Sequence, residues 1–166
     1  MLRGAEPLVL PGSRGAGGPP SSPSSKPFAL PDLVFKRSGD FVRNEGVTIN
    51  TFFMAALGVL MGRWSGLNQA VLGAICHGRP VGCEDVLGCF MQMRPVFVNF
   101  SDDPKCSSLL GRARQAMVWA QDVRRPVTPA VLKALNVGNV LVNYVRNASP
   151  PETPPPIAIS MPMHDA

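Results

Sequence analysis

The sequence lacks the short motifs by which several large enzyme classes are recognised. It contains no G-x-S-x-G nucleophile elbow, no glycine-rich phosphate loop ending in Lys-Ser or Lys-Thr, and no Rossmann fingerprint. Histidine is scarce, and neither His77 nor His164 lies in a context that suits a general base. These absences argue against serine hydrolases, P-loop enzymes and Rossmann dehydrogenases. We predict no catalytic residue in this chain.

Paired metal ligands and disulfide patterns are also missing. The four cysteines form no C-x-x-C pair: Cys76, Cys83, Cys89 and Cys106. A zinc cluster built on Cys76-His77 with two later cysteines is conceivable, but its spacings fit no common zinc module. The acidic pairs Glu84-Asp85 and Asp102-Asp103 are explained by turn and helix-entry roles. The sequence predicts no metal site and reduced, buried thiols in a cytoplasmic protein.

Charge and hydropathy argue against nucleic-acid and membrane partners. The net charge is +5, but the basic residues are scattered, whereas nucleic-acid readers cluster them and interleave exposed aromatics. The apolar run at 52–62 is too short to span a bilayer, and Arg63 closes it. No signal-peptide pattern opens the chain. We expect a cytoplasmic protein that binds neither nucleic acid nor membrane.

Composition divides the chain into three segments. Residues 1–27 are dominated by Gly, Pro, Ser and Arg, and their short apolar run at 8–10 is too small to nucleate a core, so we expect a disordered arm. Residues 149–166 begin with a proline-rich run and are expected to form a disordered tail. Residues 28–148 between them form the predicted domain, which is at the small end for independent folding.

Two helices open this domain. Pro31-Asp32 starts a helix that runs over 33–44. Thr48 caps a second helix, whose apolar residues recur at spacings of three and four and predict its buried face: Ile49, Phe52, Phe53, Ala56, Leu57, Leu60, Met61 and Trp64. The opposite, solvent-facing side is predicted to hold Asn50, Thr51, Gly58 and Gly62.

The remaining segments alternate between strands and helices. Strands are predicted at 70–76, 90–100 and 138–145, and Pro95 favours an edge position or a bulge in the second of them. A single helical turn is expected at 84–87, and helices at 105–123 and, capped by Thr128, up to Leu135. This order predicts an α/β fold in which helices are layered on a small sheet.

Three stretches of this sequence are similar to the C-terminal lobe of a condensation domain of nonribosomal peptide synthetases, in the chloramphenicol-acetyltransferase-like superfamily. VLGAICHGRP (71–80) resembles the family's strand leading into Gly-Arg, and LGCFMQMRPVFV (87–98) resembles its fifth core motif. WAQDVRRP (119–126) resembles a degenerate form of its sixth. The likeness extends from about Leu30 to Val145 and implies one lobe of the two-lobed fold of that superfamily.

The resemblance implies roles for seven residues. Gly88, Phe90 and Gln92 would line or support the substrate channel between lobes. The structural motif positions are Gly78, Arg79, Gln121 and Asp122.

The chain departs from the family pattern at defined positions. Gln92-Met93 replaces an Asn-Thr pair, Phe97 takes the place of the closing arginine, and Ala120 that of the histidine before Gln-Asp. The catalytic signature HHxxxDG is absent.

By resemblance, the chain is a truncated partial condensation domain, inactive alone. In the family, an acyl or peptidyl thioester carried on the phosphopantetheine of a carrier protein is transferred to an amine. The expected partners are a carrier protein or a complementary N-terminal lobe that supplies HHxxxDG. The chain itself is expected to hold no cofactor. Alternatives are a non-catalytic module that binds a carrier protein, a relic, or a partial acyltransferase of lipid or polyketide metabolism.

Overall fold

The computed structural model describes residues 2, 4–11, 26, 29–122 and 127–145, together with the backbone of a short strand at 159–160. Its helices are α1 (Asp32–Asn44), α2 (Ile49–Trp64), α3 (Cys106–Gln121) and α4 (Pro129–Ala134), with a 3₁₀ turn at Val137–Asn139. Its strands are β1 (Gln69–His77), β2 (Met91–Asn99), β3 (Leu141–Val142) and β4 (Ile159–Ser160). The predicted α/β class is confirmed.

The strands form one mixed sheet in the order β2-β1-β3-β4. β1 pairs antiparallel with β2, from Gln69 opposite Asn99 to His77 opposite Met91, and parallel with β3. The short β4 pairs antiparallel with β3. The two long strands therefore form a hairpin whose loop lies at residues 78–90.

Pro95 occupies the edge strand of this sheet, as the sequence predicted. The N–H of Gly73, which lies opposite Pro95, donates to the Val140 carbonyl at 2.8 Å and therefore points away from β2. The Gly73–Pro95 pair is accordingly a non-hydrogen-bonded pair, and the backbone at Pro95 faces the open edge. A proline costs no ladder bond there.

One face of the sheet carries α2 and α3 and buries the main core. Alternate residues of β1 and β2 form the floor of this core, which is its sheet side, and include Leu72, Ala74, Val96 and Val98. Met54, Leu57 and Met61 from α2, with Ala116, Met117 and Ala120 from α3, cover that floor. The opposite face is covered at Gly73 by Val137, whose carbonyl would lie 2.8 Å from a β-carbon at position 73.

The helix α2 has the predicted limits and cap, but its predicted buried face is only partly correct: Leu57 and Met61 are buried as expected, whereas Ala56 is exposed. Thr48 accepts a hydrogen bond from the Thr51 N–H at 3.1 Å. Thr51, Gly58 and Gly62 are buried against the rest of the domain. Leu60 and Trp64, which the apolar pattern placed inside, are 59 % and 52 % exposed.

Helix length also bears on membrane spanning. Within the part of the chain that the structure describes, no single helix is long and apolar enough to cross a bilayer. The pair α1 and α2 meets that test by length and composition only, with a bend of 109° at the break between them.

Two further local predictions are wrong. Residues 84–85 form a turn, closed by a hydrogen bond of 3.2 Å from the Val86 N–H to the Cys83 carbonyl, and residues 86–87 are irregular instead of helical. The last predicted strand at 138–145 shortens to Leu141–Val142, because the chain first makes the 3₁₀ turn that covers Gly73.

The terminal segments also differ from the expected disorder. Leu8 is fully buried in the main core, and the Asn139 side-chain N–H donates to its carbonyl at 2.9 Å. Gln69 donates from its side chain to the Gly4 carbonyl at 3.1 Å. Within the predicted tail, Ile159–Ser160 pairs with β3. A segment that is too weak to fold alone can therefore add to an existing core or sheet. The rest of the two segments, at 1, 3, 12–25, 27, 149–158 and 161–166, lies outside the described residues.

Candidate functional site

Four of the seven residues singled out in the sequence meet at the loop end of the β1–β2 hairpin. The Gly78 N–H donates to the Phe90 carbonyl at 2.9 Å, which closes the hairpin. A β-carbon at position 78 would lie 2.3 Å from that carbonyl oxygen and 2.8 Å from the Gln92 side chain. Only glycine fits such a close approach.

Arg79 organises the loop that follows. Its Nη1 donates to the carbonyls of Cys83 at 2.7 Å and Val86 at 2.6 Å. Its guanidinium also lies 4.2 Å from the centre of the Phe90 ring, within the range of a cation–π contact. The Arg79 side chain therefore connects the middle of the loop with Phe90, the residue just before β2.

The ordered loop presents apolar side chains to solvent. Val81 and Leu87 are 98 % and 99 % exposed, and Met91 is also exposed. The Gly82 N–H donates to Glu84 at 3.0 Å, and this hydrogen bond lowers the pKa of the Glu84 carboxyl. Gly88 is exposed, and a β-carbon at position 88 would lie 3.5 Å from the Phe90 ring. This part of the loop therefore leaves apolar side chains open to solvent.

Arg94 is a central residue that the sequence analysis missed. It is 3 % exposed and extends from the core face of β2 toward the end of α3. Its Nε donates to the Ala120 carbonyl and its Nη2 to the Asp122 carbonyl, both at 2.8 Å. Nη1 lies 3.5 Å from Gln92 Oε1, a long contact. The available signal was a lone positive charge within an apolar strand.

Arg94 thereby links the two predicted motif segments. Gln92 lies two residues before it on β2, and Asp122 immediately follows α3. Gln121 is exposed and lines, with Asp122, Trp119 and Arg114, a shallow open depression along α3. The structure therefore brings Gln92 and Asp122 together through Arg94, whereas Gln121 faces outward.

The remaining candidates for chemistry lie in ordinary surroundings. His77 is exposed at the end of β1, opposite Met91. The neighbouring Cys76 is buried, which raises the pKa of its thiol, while the charge of Arg94 opposes that rise. In the described part of the chain, no three His, Cys, Asp or Glu side chains are grouped to hold a metal ion.

Comparison with known proteins identifies a family over most of the chain. Residues 3–126 match the family described as Condensation domain. The chain is 37 % identical over 98 residues to a plipastatin synthase of Bacillus subtilis (strain 168). It is 36 % identical over 61 residues to a linear gramicidin synthase of Brevibacillus parabrevis. These matches cover 57 % and 35 % of this chain, but only 4 % and 1 % of those relatives.

Solved structures show the same fold. The X-domain in a complex with OxyB from teicoplanin biosynthesis aligns with a TM-score of 0.65 at 23 % identity, over 82 % of this chain and 31 % of that one. The first condensation domain of the CDA synthetase aligns with a TM-score of 0.64 at 16 % identity, over 86 % and 34 %. The chain thus spans about a third of these structures.

Proposed function

The chain belongs to the condensation-domain family, and from this premise we propose that it forms one wall of an acyl-transfer channel. In that channel an acyl or peptidyl group would pass from a carrier-protein thioester to an amine. The observation that carries the proposal is the family match over residues 3–126. The contacts of Arg94 with Gln92 and Asp122 support it, because they hold the two motif segments next to each other.

The wall would act by positioning. Phe90 and Gln92 would line or support the channel, Arg79 would hold the loop in place, and the exposed Val81 and Leu87 would contact the rest of the domain. Attack by an amine on a thioester needs a group that accepts a proton within hydrogen-bond reach. The sequence contains no HHxxxDG, so in this proposal that group comes from outside these 166 residues.

Partners follow from the same chemistry. We propose that the thioester arrives on the phosphopantetheine arm of a carrier protein, so that the arm belongs to the substrate and is no cofactor of this chain. The second partner is a lobe that carries HHxxxDG. Such assembly would take place in the cytoplasm.

Reconstitution tests the proposal directly. The chain is mixed with a separately produced HHxxxDG-bearing lobe from the plipastatin synthase that it resembles, a donor carrier loaded with an aminoacyl thioester and an acceptor carrier loaded with an amino acid. Amide product on the acceptor is measured by mass spectrometry. We expect product only from the complete mixture. Failure of the two lobes to associate, or product without this chain, would contradict the proposal.

Two substitutions sharpen this test. Gln92→Ala and Arg79→Ala should lower product formation, because one alters the wall and the other releases the loop. Lys133→Ala is the control, since Lys133 is exposed on α4 and lies outside the proposed wall. Equal loss in all three variants would indicate a general defect instead of a role for the wall.

A second candidate function is partner docking without catalysis. One structural neighbour, the X-domain, is known in a complex with OxyB. The net charge of +5 would favour an acidic partner. Salt-dependent binding to an acidic carrier protein, with no amide formed in the complete mixture above, would favour this second function over the first.

A further inference from the structure

We infer that Arg94 is a positioning residue that holds the end of α3, with Asp122, at a fixed place against the strand that carries Gln92. Any effect of Arg94 on an acyl-transfer channel depends on the function proposed above. The role itself is a property of this chain and can be measured without any partner.

The surroundings of Arg94 explain why its charge is tolerated in the core. Among the residues that the structure describes, no ion pair includes Arg94. It donates hydrogen bonds to two backbone carbonyls and makes a long contact of 3.5 Å with one amide oxygen. Burying an uncompensated charge is costly. The C-terminal end of a helix carries partial negative charge and unpaired carbonyls, which offset that cost.

Up to Asp122, the last residue described there, the end of α3 has neither a basic residue in its last turn nor a left-handed cap. Asp122, its C-cap, is extended instead, with φ −73° and ψ 95°, whereas many helices end at a left-handed glycine. A local hydrogen bond runs from the Asp122 N–H to the Trp119 carbonyl at 3.3 Å. Arg94, from a neighbouring strand, therefore supplies the cation and the donors that the helix does not supply itself.

The shape of the guanidinium makes the link directional. Nε and Nη2 lie on the same edge of the planar group, so they reach the Ala120 and Asp122 carbonyls together. A lysine at this position could place only one point charge near the two carbonyls. Both distances are 2.8 Å, so a shift of the helix end along its axis would break at least one of the bonds.

Residue-resolved hydrogen exchange on the full chain tests this role. In Arg94→Met, the exchange rate of the Asp122 amide should rise at least about tenfold more than the exchange rates of the slowest core amides. A tenfold change is the size expected when one charge-assisted hydrogen bond is lost. Arg94→Lys should restore part of the protection. Arg112→Met is the matched control, because Arg112 lies on the same helix but is exposed and pairs with Asp102. That control should leave the Asp122 amide unchanged.

The results separate positioning from general stabilisation. A uniform rise in exchange at all amides, or no local rise in Arg94→Met, would overturn the inference. If Arg94→Met does not fold, the test uses the unsubstituted protein. Its Arg94 Nε–H should give a nuclear magnetic resonance signal that exchanges slowly with solvent and shows through-space contacts to residues 120–122. A rapidly exchanging Nε–H would equally overturn it.

The reconstituted mixture adds a functional readout. There, Arg94→Lys should lower kcat more than it raises KM for the loaded carrier, because the wall is displaced while the docking surface is retained. A pure rise in KM would contradict positioning. If the unsubstituted chain gives no product, the proposed function fails, whereas hydrogen exchange still decides the role of Arg94.

Discussion

Gly58 on α2 packs directly against Val98 on β2. A β-carbon at position 58 would lie 2.7 Å from the Cβ of Val98, closer than real side chains approach one another. One turn later, a β-carbon at Gly62 would lie 2.7 Å from the Gln69 carbonyl and equally close to the Phe100 ring. The helix therefore lies on the sheet through its smallest residues, and its larger apolar residues are partly displaced to the surface.

The first prediction concerns this contact. Gly58→Ala should lower the free energy of unfolding by about 1–3 kcal/mol, because the new methyl group forces α2 away from the sheet. Chemical denaturation measures the change. Gly39→Ala on α1 is the control, since nothing lies within 4 Å of a β-carbon there, and alanine is the better helix former. A Gly58→Ala protein as stable as the original would mean that α2 lies elsewhere.

The second prediction distinguishes the two faces of α2. Leu57→Ala should cost about 2–5 kcal/mol, since Leu57 is buried in the main core. Leu60→Ala should cost less than about 0.5 kcal/mol, since that side chain is 59 % exposed. Urea unfolding of both variants under identical conditions gives the comparison. The apolar pattern of the sequence placed both residues inside, so equal costs would support that pattern against the structure.

The third prediction concerns pH. Two hydrogen bonds of 2.6 Å from Arg112 lower the pKa of Asp102 from its ordinary value of 3.8 to about 2. The charged carboxylate therefore stabilises the fold above pH 3.8, and this contribution is lost as the pH falls through about 2. Asp102→Asn should be less stable than the original protein at pH 7, and the difference should shrink as the pH falls from 4 toward 2. A difference that stays constant across that range would contradict the pairing.

The fourth prediction concerns thiol reactivity. Burial raises the pKa of Cys76 and shields its thiol, whereas Cys89 and Cys106 are exposed. With iodoacetamide at pH 8, the two exposed cysteines should be labelled in the folded protein, and Cys76 only after unfolding. Mass spectrometry of peptides gives the rate at each site. Rapid labelling of Cys76 in the native protein would show that the core is open there.

The fifth prediction tests the segment before the first helix. Leu8→Ala should cost about 2–5 kcal/mol, as for other buried leucines, because Leu8 is fully buried. Val9→Ala is its neighbour and control, since Val9 is 57 % exposed. Thermal unfolding of the two variants is sufficient. Identical melting curves would restore the expectation of an unpacked arm.

Local signals predicted the helices well because they act within one turn. The Thr48 hydroxyl and the Thr128 hydroxyl each accept a bond from a backbone N–H three residues later, so the starts of α2 and α4 were readable. The end of α2 was equally local, since Gly66 adopts the left-handed conformation just beyond it. Pro95 likewise indicated an edge position or a bulge, because a missing donor is tolerated at both, and the structure shows the edge position.

Residues that act across the fold were less readable. Hydrophobic periodicity identifies large apolar side chains, but a helix that lies close to a sheet selects small ones. Leu57 and Met61 were therefore placed correctly, whereas Gly58 and Gly62 were placed on the wrong side of α2. Arg94 was overlooked because its partners lie 26 and 28 residues away on α3. The grouping of Gly78, Arg79, Phe90 and Gln92 follows from the hairpin register of β1 and β2, which the structure shows and the sequence did not assign.

The amino-acid sequence by itself determined where the four α-helices and the two long strands form, the α/β class, and the likeness to condensation domains, because caps, turns and motif residues act over a few positions. The tertiary structure alone decided which face of α2 is buried, that Leu8 joins the core, and that Arg94 binds the end of α3. These three outcomes depend on contacts between segments that are far apart in the chain. Periodicity can be read within one segment, whereas close packing between segments exists only once they have come together.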